Sequence, residues 1–155
     1  MTWWWKRRPA ATRYIPDLMS RILALDYGSK KTGIAVSDPL RLIATGLATV
    51  PTWQLMDWLA DYLSREDVGD LVVGESLHKD GTPNKINQEV VGFERKFAKR
   101  YPAIRLHRQD EFYSSQRAKR ALVDMGVPKM KRREKARVDR IAAALILQDW
   151  MEAQR

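Results

Sequence analysis

The fold is decided by the segment LALDYGSKKTGIAVSD (residues 23–38), in which an apolar run meets a carboxylate, a glycine turn and a second apolar run. This pattern predicts a β-hairpin, with strands over residues 21–26 and 32–38. Asp26 would then end the first strand inside the core, where an ionised carboxylate is costly unless something pairs with it. A bound cation is one such partner, and the backbone N–H groups of the turn are another.

The bulk composition favours a folded domain with an anionic partner. The chain has 155 residues, of which 45% are apolar and 30% are charged, and its formal charge is +9. This excess of basic residues favours nucleic acid or an anionic membrane surface. We expect nucleic acid and no membrane, because the amphipathic helices need their apolar faces for the core. The chain contains no cysteine, which excludes disulfides and cysteine-based zinc sites and is consistent with a cytoplasmic location.

The first 19 residues differ from the rest of the chain. They contain three consecutive tryptophans, a basic cluster and two prolines, without a sustained hydrophobic period. We therefore predict an N-terminal extension over residues 1–19, either disordered or upstream of an alternative start near Met19, and one domain over residues 20–155. The alternative is that the tryptophans dock on the fold or on a partner. The two histidines, His78 and His107, show no zinc-ligand spacing and are interpreted as ordinary surface or edge residues.

From residue 21 onward the pattern predicts the order β-β-β-α-β-α-β-α-α. Three strands in a meander followed by alternating helices and strands indicate an α/β fold, with a five-stranded mixed sheet and helices on both faces. The first and fourth strands should be neighbours. Thr52 is predicted to cap the first helix, and a proline at position 83 and a glycine at position 126 are predicted to bound the second and third helices.

Acidic residues stand at three boundaries of these elements. Asp26 ends the first strand, Asp110 and Glu111 follow the fifth strand, and Asp139 falls in the first turn of the last predicted helix. Carboxylates that converge at one edge of the sheet would bind two divalent cations about 4 Å apart, as in phosphodiester hydrolysis. Oxygen ligands favour Mg²⁺ or Mn²⁺. The alternative is that Asp139 complements a helix dipole and that the other acids are ordinary loop residues.

The sequence resembles the YqgF/RuvX family of Holliday-junction-resolvase-like proteins, which belongs to the RNase H superfamily. The resemblance extends over residues 20–154 and rests on LDYG at 25–28, TGIAVSD at 32–38, VVG at 72–74, DGT at 80–82, DE at 110–111, VD at 138–139 and AA at 142–143. It implies an RNase H-like fold with Asp26, Glu111 and Asp139 as catalytic, metal-binding carboxylates. Asp110 is the other candidate for the second ligand.

The chain departs from the family pattern at two positions. Phe112 stands where the family usually has an arginine. The absence of that arginine would remove a phosphate clamp or an ion pair that orients the acids. Glu75 stands at the end of the fourth strand, where the family usually has leucine. It is either a surface acid or a further metal ligand beside Asp26.

Basic residues flank the predicted site. Lys30 and Lys31 lie in the first hairpin turn, and a basic segment directly precedes Asp139. Such groups neutralise phosphates without reading base sequence. The predicted nucleic-acid contacts are Lys30, Lys31, Ser114, Lys129, Lys131, Arg132, Arg133, Lys135 and Arg137.

The sequence is compatible with three functions. The first is a nuclease that uses two Mg²⁺ or Mn²⁺ ions and acts on structured nucleic acid, either a ribosomal RNA precursor or branched DNA, and on no small molecule. The second is a binding factor that retains the fold without turnover, an alternative based on Phe112. The third, an actin-like ATPase, is disfavoured because the chain is too short for two such domains and lacks a P-loop. The sequence leaves a monomer and a homodimer both open.

Overall fold

The computed structural model describes residues 20–75, 83–109, 114–126 and 135–154. The predicted order of elements is confirmed in these ranges. The strands are β1 (Arg21–Tyr27), β2 (Lys31–Ser37), β3 (Ala44–Pro51), β4 (Val68–Glu75) and β5 (Arg105–Gln109). The helices are α1 (Leu55–Arg65), α2 (Pro83–Arg100), α3 (Ser114–Asp124) and α4 (Lys135–Ala153). A short 3₁₀ turn, Thr52–Gln54, joins β3 to α1.

The five strands form one mixed sheet in the order β3-β2-β1-β4-β5. β1 pairs with β2 in antiparallel and with β4 in parallel orientation, as predicted, and β5 continues the parallel half. The carboxyl ends of β1, β4 and β5 therefore lie at one edge of the sheet, which we call the carboxyl edge. β3 is antiparallel to β2 and so also ends at the carboxyl edge.

Apolar cores cover both faces of the sheet, because successive residues of a strand point to opposite faces. One core joins alternate residues of the inner strands to α1 and α2, and includes Leu23, Leu25, Leu71, Leu59, Val90 and Phe97. The other joins the intervening residues to α4, and includes Ile22, Ala24, Val72, Ala143, Ile146 and Leu147. Two-sided burial explains why β1 reads as a nearly continuous apolar run.

α3 packs against α4 on the outer side of the second core, through Ala118, Leu122, Val138 and Ala142. It ends as predicted, because Gly126 adopts a φ of +75°, a left-handed conformation that favours glycine after a helix. α2 begins at Pro83, also as predicted. None of the helices in the described ranges combines the length and apolar character that crossing a bilayer requires.

Two local predictions are wrong. Thr52 does not cap α1, which starts after Gln54 without a side-chain cap. The Thr52 hydroxyl instead donates a hydrogen bond of 2.6 Å to the carbonyl oxygen of Gly28, in the β1–β2 turn. Asp139 is the fifth residue of α4 and therefore lies beyond its first turn. The helix begins earlier than predicted because basic residues before Asp139 continue it.

Candidate active site

Asp26 lies near the end of β1, with only 1% of its surface exposed. Its neighbour across the antiparallel pair is Gly33 of β2, and its neighbour across the parallel pair is Gly74 of β4. By the alternation of the strand, Asp26 shares the face of Ile22 and Ala24, which is the face covered by α4. The carboxylate is thus held on a rigid core strand next to two positions without side chains.

Asp139 approaches the same point from α4 and is also 1% exposed. Its backbone is pressed against Gly33, since a Cβ added there would lie 2.1 Å from the Asp139 carbonyl oxygen and 3.0 Å from its Cβ. Only glycine permits so close an approach between the helix and the strand. Because Gly33 pairs directly with Asp26, the fold brings these two predicted acids together over one position of β2.

The other predicted acids follow the neighbouring strands. Glu75 is the last residue of β4 and pairs with Tyr27, one position beyond Asp26; the structure does not describe its side chain. Gln109, the last residue of β5, pairs with Gly74. Asp110 and Glu111 come directly after Gln109 in the sequence and lie outside the described residues. The described backbone thus leads the fourth and fifth strands to the edge where Asp26 lies.

The predicted basic residues are described in part. Lys30 and Lys31 are exposed in and after the β1–β2 turn, at the carboxyl edge. Arg137 lies in the first turn of α4 and is partly buried. Ser114 and Lys135 begin α3 and α4, and the structure does not describe their side chains; Lys129, Lys131, Arg132 and Arg133 lie outside the described residues, as does Phe112.

A pair of threonines that the sequence did not single out as site residues fixes the β1–β2 turn. The hydroxyl groups of Thr32 and Thr52 are 2.9 Å apart, and Thr52 donates onward to the Gly28 carbonyl oxygen. The Thr52 backbone N–H also donates to the carbonyl oxygen of Lys30, at 2.8 Å. These bonds tie the turn that carries both lysines to the start of the 3₁₀ turn. These hydrogen bonds could not be predicted from local sequence, because Thr52 is 24 residues from Gly28.

The donor chemistry at the carboxyl edge fits hard divalent cations. Carboxylate oxygens are the ligands that Mg²⁺ and Mn²⁺ prefer, and bringing two buried carboxylates together is unfavourable without positive charge nearby. Within the four described ranges, no three histidine, aspartate or glutamate side chains are grouped closely enough to hold a metal ion. If this edge holds such a cation, Asp26 and Asp139 would be only part of the ligand set, and a third acid would have to complete it.

A third buried carboxylate lies near the opposite edge of the sheet. Asp70, 2% exposed, accepts two hydrogen bonds of 2.8 Å from Arg105, one of 2.7 Å from Arg41, and lies 2.7 Å from His107 Nε2. Burial by itself raises the pKa of Asp70, but the hydrogen bonds from Arg105 and His107 and the charge of Arg41 outweigh it and hold that pKa well below the usual range. This carboxylate is fully engaged by Arg41, Arg105 and His107, which indicates a structural role.

Comparisons with known proteins agree with this architecture. A family model described as "RuvX: Holliday junction resolvase" matches residues 20–153. A protein of Christiangramia forsetii, named "Putative pre-16S rRNA nuclease", is 45% identical over 133 residues, which cover 86% of this chain and 98% of that protein. Proteins of the same name from Flavobacterium johnsoniae and Porphyromonas gingivalis are 39% and 43% identical, over 88% and 86% of this chain and 99% and 97% of those proteins.

A solved structure shows the same fold. RuvC of T. thermophilus, in complex with a Holliday junction substrate, superposes with a TM-score of 0.54 and covers 87% of this chain and 95% of that one. The sequence identity is 17%, so this likeness concerns the fold alone. The RNase H-like, five-stranded fold implied by the sequence resemblance is confirmed.

Proposed function

The chain belongs to the RuvX family, and on this premise we propose that it is a metal-dependent nuclease that hydrolyses phosphodiester bonds in structured nucleic acid. The observation that carries the proposal is the meeting of Asp26 and Asp139 over Gly33 at the carboxyl edge. Both acids are 1% exposed, and both stand on elements fixed by the apolar core. Ligands usually bind at the carboxyl edge in folds of this kind.

Asp26, Asp139 and one of Asp110 or Glu111 would hold two divalent cations, with Glu111 our preferred third ligand. Bound there, Mg²⁺ or Mn²⁺ supplies activation of water and stabilisation of the leaving oxygen. The rigid setting of Asp26 and Asp139 would keep the carboxylates in a fixed geometry before substrate arrives, which limits reorganisation during the reaction. Burial would also exclude competing water from the space between them.

Lys30 and Lys31 would bind the phosphates that flank the scissile bond. Their turn is tied down by the Thr52 bonds to Gly28 and Lys30, so these charges are presented from a defined backbone. Lys129, Lys131, Arg132, Arg133, Lys135 and Arg137 would extend this surface at the start of α4. With Ser114, they would contribute affinity that depends on salt and not on base sequence.

Among nucleic acids we favour a precursor of 16S ribosomal RNA over a four-way DNA junction. Relatives that are 38–45% identical to this chain are named "Putative pre-16S rRNA nuclease". RuvC, with its DNA junction, shares 17% and supports only the fold. We further propose that residues 20–155 form the nuclease domain and that it works in the cytoplasm, where ribosomal precursors are processed.

The test is cleavage of labelled 16S precursor RNA and of a four-way DNA junction, each with Mg²⁺ or Mn²⁺. Wild type is compared with Asp26→Asn, Asp139→Asn and a control, Asp61→Asn, whose carboxylate is 72% exposed on α1. We expect metal-dependent cleavage of the RNA by wild type and the control, and none by the other two variants. Thermal melts verify that all four proteins are folded.

Other outcomes would revise the proposal in specific ways. Preferential cutting of the DNA junction would transfer the assignment to a resolvase. A wild-type protein that binds RNA tightly and never cuts it would refute the nuclease and favour a binding factor. In that case Phe112→Arg, which restores the family arginine, distinguishes a lost activity from one that was never present.

A further inference from the structure

Trp53, in the 3₁₀ turn after β3, is the most exposed of the large apolar side chains in the described ranges, at 80%. An indole buries a large apolar area when it finds a partner, so leaving it in water forgoes a substantial contribution to stability. Exposed tryptophans that are held rigidly are frequent contact residues for ligands.

The turn that carries Trp53 belongs to the carboxyl edge. β3 runs in the same direction as β1, so Pro51, at the end of β3, lies at the same edge as Asp26. The preceding residue, Thr52, binds the carbonyl oxygens of Gly28 and Lys30 through its hydroxyl and its N–H. Trp53 is therefore anchored to the turn that directly follows Asp26, although it stands on the side that leads to α1.

Two lysines, Lys30 and Lys31, lie on the backbone next to the segment that carries Trp53. Lys31 pairs with Pro51 in the sheet, and Lys30 accepts the backbone hydrogen bond from Thr52. Both lysines are exposed. An exposed aromatic side chain on a segment whose backbone adjoins two exposed lysines matches the two chemical features of a nucleotide, a flat base and a phosphate.

We propose that Trp53 is a stacking platform for an unpaired base, while Lys30 and Lys31 hold the adjoining phosphates. This inference rests on the proposed function and adds to it the class of substrate, a nucleic acid with a single-stranded segment next to the cleavage site. Stacking selects unpaired bases, because a base inside a duplex has both faces covered by its neighbours. It also tolerates any base sequence, since every base has an aromatic face.

The experiment measures binding of a fluorescein-labelled single-stranded RNA and of a blunt RNA duplex by anisotropy, in EDTA to prevent cleavage. Trp53→Ala should weaken single-strand binding by roughly 5- to 150-fold, the range for loss of one stacked base. Trp53→Phe should retain most of the affinity. Leu42→Ala is the control, because Leu42 is 60% exposed and lies in the β2–β3 loop near the opposite edge. Binding of the blunt duplex should change little in every variant.

A spectroscopic signal separates stacking from a structural role. Bound RNA should quench the tryptophan fluorescence of wild type. The part of this quenching that comes from Trp53 should be absent in Trp53→Phe, although the RNA still binds. Equal single-strand affinity for wild type and Trp53→Ala would overturn the inference, as would equal losses for single strand and duplex.

The fate of the nuclease is read separately, in the presence of metal. If Trp53→Ala binds and cleaves like wild type, the stacking platform is refuted and the nuclease stands. If RNA binding depends on Trp53 but wild type never cuts, the nuclease is refuted and the stacking platform stands.

Discussion

Replacing Gly33 by alanine should separate the two buried acids of the candidate active site. The added methyl group would lie 2.1 Å from the Asp139 carbonyl oxygen, whereas ordinary van der Waals contact begins at 3.4 Å. The obstacle is helix backbone, so no flexible side chain can swing aside. α4 must therefore retreat from β2 by about 1.3 Å at this position, and Asp139 must move away from Asp26 with it.

This displacement has two consequences of known scale. Forcing one extra carbon into a packed interface typically costs about 1–3 kcal/mol of folding stability. A misplacement of about 1 Å in catalytic geometry can reduce a rate about 100-fold. Gly33→Ala should therefore lower the free energy of unfolding by about 2 kcal/mol and the cleavage rate about 100-fold, without altering the ionisable groups.

Urea unfolding and single-turnover cleavage measure the two effects, with two other glycines as matched controls. Gly46 faces the same helix, but a Cβ there would lie 3.1 Å from the nearest atoms of Arg140, so Gly46→Ala requires shifts of only a few tenths of an ångström. Gly92 lies in α2 with nothing within 4 Å of the added carbon, and alanine should stabilise that helix by about 1 kcal/mol. The predicted order of cleavage rates is Gly92→Ala, equal to wild type, then Gly46→Ala, then Gly33→Ala.

A Gly33→Ala protein as stable and as active as wild type would contradict this prediction. So would a loss of cleavage rate equal to that of Gly46→Ala once both proteins are shown to be folded. In either case the contact between Asp139 and β2 would not set the position of the acids.

Three further predictions concern other parts of the fold. The pKa of Asp70 is held low in the folded protein, so its contribution to stability is complete above the pKa of the unfolded chain and is lost as the pH falls toward the folded value. Urea unfolding from pH 6 down to pH 2 should show this loss. Asp70→Asn should lower the free energy of unfolding by about 3–5 kcal/mol at neutral pH, and the stability of this variant should depend less on pH. Thr52→Val removes the hydrogen bond to Gly28 and should lower the free energy of unfolding by about 1 kcal/mol in the same assay. It should also raise the KM for RNA more than it lowers kcat. An unchanged KM would show that the turn does not contribute to substrate binding. Gly126→Ala imposes a side chain at a φ of +75° and should lower stability by about 1 kcal/mol; a gain in stability would contradict the assigned helix end.

The sequence predicted the architecture because the strands and helices obey simple periodic patterns. β1 and β4 are apolar on both faces, and this continuous run is typical of covered central strands. The position of Asp26 at the end of β1 followed directly from the boundary of that run. Local chemistry was also sufficient where a single residue decides a boundary, as at Pro83 and Gly126.

Interactions between distant residues were not predictable in the same way. Thr52 has the local signature of a helix cap, yet its hydroxyl binds a turn from another part of the chain. His107 was expected to be an ordinary edge residue, but it contacts Asp70 and packs against Trp150, with ring centroids 4.7 Å apart. Such contacts depend on which strands become neighbours, and this is fixed only after the whole sheet is assembled.

The acids of the site fall between these two cases. Resemblance and position selected Asp26 and Asp139, while the close approach at Gly33 explains how a strand and a helix so distant in sequence meet. The assignment of a third ligand among Asp110, Glu111 and Glu75 stays a prediction. Nothing in the hydrophobic pattern marks Trp53 as exposed, because an apolar residue near the start of a helix is equally compatible with a place in the core.

The most direct test of the account is the single-turnover rate of precursor RNA cleavage as a function of Mg²⁺ concentration, for wild type, Asp26→Asn and Asp139→Asn. We predict a rate for wild type that rises from zero with a slope near second order in the metal, and no measurable rate for either variant at any concentration. Cleavage by wild type without metal, or cleavage at the wild-type rate by either variant, would contradict it.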